Sequence, residues 1–137
     1  MFKKIFTIIL CLLALFSCYA INATPVFSAY AESYEVYFND YSTLENVYTV
    51  DKISYLLCFN KKGESCAVNN GVTAKQILES FNAVVIKVEN HEGGKSIYAY
   101  SNKIKYKKRM FNDIVNLHIE ISENQIRVGT PIIYGSF

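Results

Sequence analysis

Two histidines, two prolines and four cysteines in 137 residues leave little material for several common chemistries. His91 and His118 are separated by a hairpin turn and a strand, and no third and fourth ligand follows at suitable spacing, so no metal site is expected. No serine or threonine sits in a nucleophile-elbow setting, and no acid–base pair is forced together by spacing. Gly129-Thr130-Pro131 lies within or at the end of a strand rather than before a helix, which removes a phosphate-loop reading. The chain has no internal repeat and no low-complexity tract. It also lacks an excess of one charge. Of its 14 basic residues, Lys3 and Lys4 stand at the extreme N-terminus, and the other 12 match 12 acidic ones. A balanced chain offers no global electrostatic attraction for nucleic acid.

The charge that does stand out opens a targeting pattern. Met1 to Lys4 is a short basic start, and Ile5 to Ser17 is an apolar run without charge. That run is short for a comfortable transmembrane helix and has the proportions of a secretory h-region. Ala29-Tyr30-Ala31 fits the small-x-small rule, so cleavage is expected after Ala31, with Ala23 and Ala20 as alternatives. An uncleaved membrane anchor and lipidation at Cys18 are the other readings. Residues 1–31 are thus a signal segment, and residues 32–137 form a single domain.

Cys58 and Cys66 are an even pair in a chain bound for an oxidising space. The polar residues between them read as a hairpin turn with a disulfide across its neck, contributing about 2–3 kcal/mol. Two free thiols are the alternative. Cys58 is a poor nucleophile candidate, because Cys66 is a nearer partner than any histidine.

Periodicity organises the rest. Glu32 to Tyr41 alternates as a first strand, with an edge position as one reading, and Asn39 to Asn46 is rich in turn formers. Val47 to Phe59 reads as a second strand with imperfect alternation. Asn69-Asn70-Gly71 then breaks the chain before a helix. Thr73 and Gln76 make a capping box, Val72 and Ile77 a hydrophobic staple, and Ala74, Ile77, Leu78 and Phe81 one apolar stripe ending near Asn82. Val84 to Asn90 and Lys95 to Ser101 form a hairpin turning at Gly93-Gly94, which pairs Glu92 with Lys95 and Val88 with Ala99. Lys103 to Asn112 is a polar, irregular connector. Finally, Val115, Leu117, Ile119 and Ile121 alternate against Ile126, Val128, Thr130 and Ile132. A turn at Glu123-Asn124 pairs Ile121 with Ile126 and Ile119 with Val128, and sets Glu120 opposite Arg127. The fold class is α+β: two layers, a mainly antiparallel sheet with one packed helix, plus N-terminal strands. Pro131 points to an edge strand or a bulge.

The segments Ala74–Ala83, Ser96–Ser101, Val115–Ile119 and Val128–Ile133 resemble the C-terminal half of the YwmB-like family of exported Firmicutes proteins. The Asn-Leu-x-Ile strand and the closing Gly-Thr-Pro-Ile are its most specific pieces. The resemblance covers Val72 to Phe137, while members of that family look about twice as long. It implies an αββββ half unit of the TATA-box-binding-protein type and no catalytic residue.

Candidate contacts lie on the sheet face away from the helix, where Tyr98, Tyr100, His118 and Arg127 are expected to stand uncovered. The alternative buries them beneath the Tyr-rich N-terminal strands. Lys103, Lys105, Lys107, Lys108 and Arg109 form the one concentrated charge, suited to an anionic polymer or membrane headgroup or simply to solvent. DNA binding is not expected, because a saddle needs two repeats and a basic concave face. The function expected is a secreted, non-enzymatic binding or accessory domain of the bacterial cell envelope without cofactor. Its partner is an envelope component or protein, and membrane contact comes only through the signal segment if uncleaved. The rival classes are an extracytoplasmic hydrolase and a homodimer that completes a saddle-shaped sheet.

Overall fold

The computed structural model describes residues 1–39 and 47–134, so most of the turn expected after Asn39 lies outside the described residues. Helix α1 (Phe2–Asn22) carries no acidic residue in its first turn. Its apolar window, Phe2–Ala20, has no buried residue and is long enough to cross a membrane by length and composition, which is compatible with an export signal.

The remainder is α+β. Strands β1 (Ser33–Tyr37), β2 (Val47–Asp51), β3 (Gly63–Ala67), β4 (Val84–His91), β5 (Gly94–Tyr100), β8 (Leu117–Ile121) and β9 (Ile126–Thr130) form one sheet. Its order is β2-β1-β3-β9-β8-β5-β4, with every neighbour antiparallel. Strands β6 (Lys108–Met110) and β7 (Asp113–Val115) pair as a separate ribbon. The meander β4-β5-β8-β9 behind helix α3 (Ala74–Ser80) is the αββββ order expected from the sequence.

The C-terminal half follows its periodicity closely. Ile121 faces Ile126, Ile119 faces Val128 and Glu120 faces Arg127, as the alternation requires. Helix α3 has the full capping box, with the Thr73 side chain accepting from Gln76 N–H and the Gln76 side chain accepting from Thr73 N–H at 2.8 Å. The β4–β5 register departs from expectation. Asn90 pairs with Lys95 and Val88 with Ile97, which moves the turn to Glu92-Gly93. Gly94 is needed inside the strand, because it has φ 144° and a Cβ there would lie 1.9 Å from the Ile121 carbonyl oxygen. Close approach of β5 to β8 therefore takes this glycine away from the turn.

The N-terminal half holds more corrections. Strand β1 is internal, flanked by β2 and β3. The expected strand from Val47 to Phe59 stops at Asp51, whose carboxylate accepts Ser54 N–H at 2.7 Å and starts helix α2 (Lys52–Leu56); an Asp N-cap overrides the β-branched residues around it. The expected turn between the cysteines gives way at Gly63 to strand β3, paired on both sides. Cys58 and Cys66 consequently do not frame a hairpin, and both are free. Cys58 follows α2 and points its thiol at the Ser54 carbonyl, whereas Cys66 is buried opposite Val128. Pro131 follows a strand lying between β3 and β8, so it marks neither an edge nor a bulge.

The domain also starts earlier than residue 32. Phe27 and Ala31 belong to the core with Tyr34, Val36, Tyr55, Ile77, Leu117, Ile119 and Val128. Tyr30 donates to Ser80 at 2.5 Å, Asn69 N–H donates to the Tyr30 carbonyl at 2.8 Å, and the Phe27 ring meets Phe81 edge-on. Residues 25–31 thus help α3 to cover the sheet.

The capping box gives the first test. Replacing Thr73 by Ala should lower unfolding free energy by about 1 kcal/mol in urea titrations, with no change in slope. An unchanged midpoint would mean the cap does not hold α3.

Candidate functional site

The sheet face expected to be open is closed. Tyr98 is 1% exposed and His118 0%. Their rings stack with centroids 4.5 Å apart at 12°, and Phe111 meets Tyr98 edge-on at 5.0 Å. The cover is not the N-terminal strands. It comes from the segment read as an irregular connector, which forms the β6–β7 ribbon, and from residues 131–134 folding back; Tyr98 packs with Val115, Ile132, Met110 and Tyr134. Tyr100 is half-buried with Lys107 above its ring. Arg127 is also half-buried, and its guanidinium pairs with Glu35 of β1 rather than standing free. Four residues expected to make one contact surface are therefore spent on packing and an ion pair.

The five-residue basic cluster is dispersed by the chain path. Lys103 donates to the Ser80 carbonyl at 2.9 Å, at the C-terminal end of α3. Lys107 and Lys108 lie over the Tyr100 and Tyr134 rings, Arg109 points to solvent, and Lys105 turns towards a cleft on the helix side. Residues 102–107 are a turn followed by irregular chain, so the period-two alternation that would put Lys103, Lys105, Lys107 and Arg109 on one side does not hold and the sequence cluster makes no single patch.

That cleft is the best candidate site. It encloses about 330 Å³ and is lined by Tyr55, Cys58, Phe59, Asn60, Lys61, Lys105 and Tyr106, with Tyr19, Ala23, Thr24 and Val26 along one side. Tyr55 comes from α2, Lys61 from the turn after it, and Lys105 and Tyr106 from the segment before β6. The Lys61 ammonium donates to the carbonyls of Cys58 and Tyr55 and stands 4.1 Å from the Tyr55 ring centroid. Burial lowers its pKa, against the opposing influence of Cys58 and Glu64.

Behind Tyr55 lies Glu64 of β3, fully buried. It accepts the Tyr55 hydroxyl and the Phe27 N–H, the latter at 3.3 Å. Burial raises the Glu64 carboxyl pKa, and its hydrogen bonds from Tyr55 and Phe27 only partly oppose this. Burial likewise raises the Tyr55 phenol, and the Glu64 charge adds to the effect. The Cys66 thiol is pushed up to about 12 by burial, then by Glu64, which leaves it inert. Glu64, Tyr55 and Lys61 were not singled out from the sequence. The available signal was parity, since Glu64 shares its face with Cys66 and Val68 in a period-two run. No histidine lines the cleft, and no group of three metal-ligating side chains occurs among the described residues.

Comparison with known proteins adds no relative: no family model, curated protein or solved structure matches the chain.

His118 generates a pH prediction. Its Nδ1 accepts Ile133 N–H at 3.1 Å, and its buried Nε2 has no hydrogen-bond partner. Burial, with a smaller push from Arg127 and an opposing pull from Glu89, lowers the pKa from 6.5 to about 4. The folded state thus binds fewer protons than the unfolded one. The resulting stability is present above pH 6.5 and is lost as pH falls towards 4, by roughly 3 kcal/mol in all. Glu64 has the opposite sign, because a raised carboxyl pKa favours folding below 4.5 and loses that contribution as pH rises. Imidazole resonances in the folded protein should place the His118 midpoint near 4, whereas titration at 6.5 would contradict its burial.

Proposed function

We propose that the chain is an exported, non-catalytic binding domain of the bacterial cell envelope that takes an anionic group of an envelope polymer into the Lys61–Lys105 cleft. The observation that carries this reading is the division of labour there. Lys105 and Tyr106 line an accessible opening, while the groups capable of chemistry are engaged with one another: Glu64 with Tyr55 and Phe27, Lys61 with two carbonyls, Cys58 with Ser54. A buried carboxylate that holds backbone N–H groups is spent on the fold. The proposal includes YwmB-like ancestry, for which the αββββ order is the supporting feature, and it invokes neither cofactor nor nucleic acid.

Export is supported by α1. Its cleavage is proposed after Ala20 or Ala23 rather than after Ala31, because cutting at Ala31 would remove Phe27 from the core. N-terminal sequencing of secreted material should therefore begin at Ile21 or Thr24, and a start at Glu32 would refute the assignment.

Binding is tested by calorimetric titration with a short poly(glycerol phosphate). Lys105→Glu should weaken binding at least tenfold, while Lys103→Glu, on the α3 side, should leave it within twofold. Equal losses in both variants would reduce the attraction to general charge and sink the cleft. The hydrolase reading draws on the same cluster of Tyr55, Lys61, Cys58 and Glu64. Turnover of that polymer, abolished by Tyr55→Phe, would displace the binding proposal in its favour.

A further inference from the structure

Helix α2 turns Tyr55 inward and leaves its neighbours facing out. Ile53 is 75% exposed, Leu57 73% and Phe59 62%. Ile53 and Leu57 are four residues apart and share one side of the helical turn. Three large apolar side chains are thus exposed within seven residues, a clustering of the kind that marks interaction surfaces. Lys52 and Lys62 are exposed beside them and Lys61 is half-buried. The adjacent acid, Asp51, has its carboxylate occupied as the N-cap of α2.

A second observation says what covers this patch. The apolar helix α1 meets the domain here: the Tyr19 hydroxyl donates to the Leu56 carbonyl at 2.7 Å, and the Tyr19 ring stacks on Phe59 with centroids 5.8 Å apart at 27°. Tyr19 stands at the C-terminal end of the membrane-length window, where tyrosine is favoured at the lipid–water boundary. In the chain that still carries α1, before cleavage, a bilayer holding that helix lies beside Phe59 and the Leu56 carbonyl, and so next to the α2 patch. We infer that in this uncleaved chain Ile53, Leu57 and Phe59, flanked by the exposed Lys52 and Lys62, form a docking surface for an anionic lipid bilayer. Apolar side chains enter the interfacial layer while ammonium groups stay at headgroup level. The patch does not depend on the cleft taking a ligand, since of its own residues only Phe59 also lines the cleft.

The chain contains no tryptophan, so a single introduced indole reports on one place. F59W and, at the far edge of the sheet, V88W would each be made in the full chain. Val88 is also an exposed apolar residue, at 43%, and so controls for hydrophobicity alone. Both variants are reconstituted into vesicles of phosphatidylglycerol and phosphatidylethanolamine with brominated acyl chains. Quenching of F59W should be at least twice that of V88W, and should fall in pure phosphatidylcholine vesicles. Equal quenching at the two positions, or no dependence on lipid charge, would overturn the inference. So would an F59W indole shielded from acrylamide yet unquenched by bromolipid, because a protein partner or second copy would then cover the patch.

Discussion

The structure depends on one buried carboxyl group. Glu64 sits fully buried in an internal strand of the sheet, where an uncompensated charge would be prohibitive. Its two oxygens are used instead to hold the Phe27 N–H and the Tyr55 hydroxyl. One side chain therefore ties together three pieces distant in sequence: the segment before β1, helix α2 and strand β3. Phe27 then reaches Phe81 beyond α3, which completes the helical layer. The cleft inherits its shape from the same contact, because Tyr55 is its back wall.

The opposite face is closed by an equally specific arrangement. Gly129 gives room for the return of the chain, since a Cβ there would lie 2.7 Å from Ile133 and 3.1 Å from the Ser65 side chain. Ile133 can then donate its N–H to His118, and Ile132 and Tyr134 pack around Tyr98. Asn116 completes the closure by donating to the Ser101 and Ile104 carbonyls and accepting Ser101 N–H, which fixes the start of the crossing segment. A sheet covered on both faces leaves function to its ends and edges. This is where the cleft and the exposed α2 patch lie.

What was legible in the sequence tracks how local each determinant is. The β8–β9 register and the α3 cap rest on residues a few positions apart, and both are found as read. Strand β3 depends on partners in β1 and β9, so its polar Gly63-Glu64-Ser65 looked like a turn. The β4–β5 turn was misplaced because the demand on Gly94 comes from Ile121, a residue in another hairpin. Tyr98 and His118 were assigned to the correct face by parity. Nothing in their own strands announced that residues 108–115 and 131–134 would cover them. The cleft was illegible for the same reason: Tyr55, Lys61 and Lys105 meet only through the fold.

If Glu64 organises the domain, residues before β1 must be as firmly held as the sheet itself. Amide hydrogen exchange of Phe27 in the folded protein measures this directly. Its protection should approach that of the β8–β9 amides, because the N–H is released only when the domain opens. Exchange of Phe27 at the rate of an unstructured peptide, with β8 and β9 still protected, would contradict it.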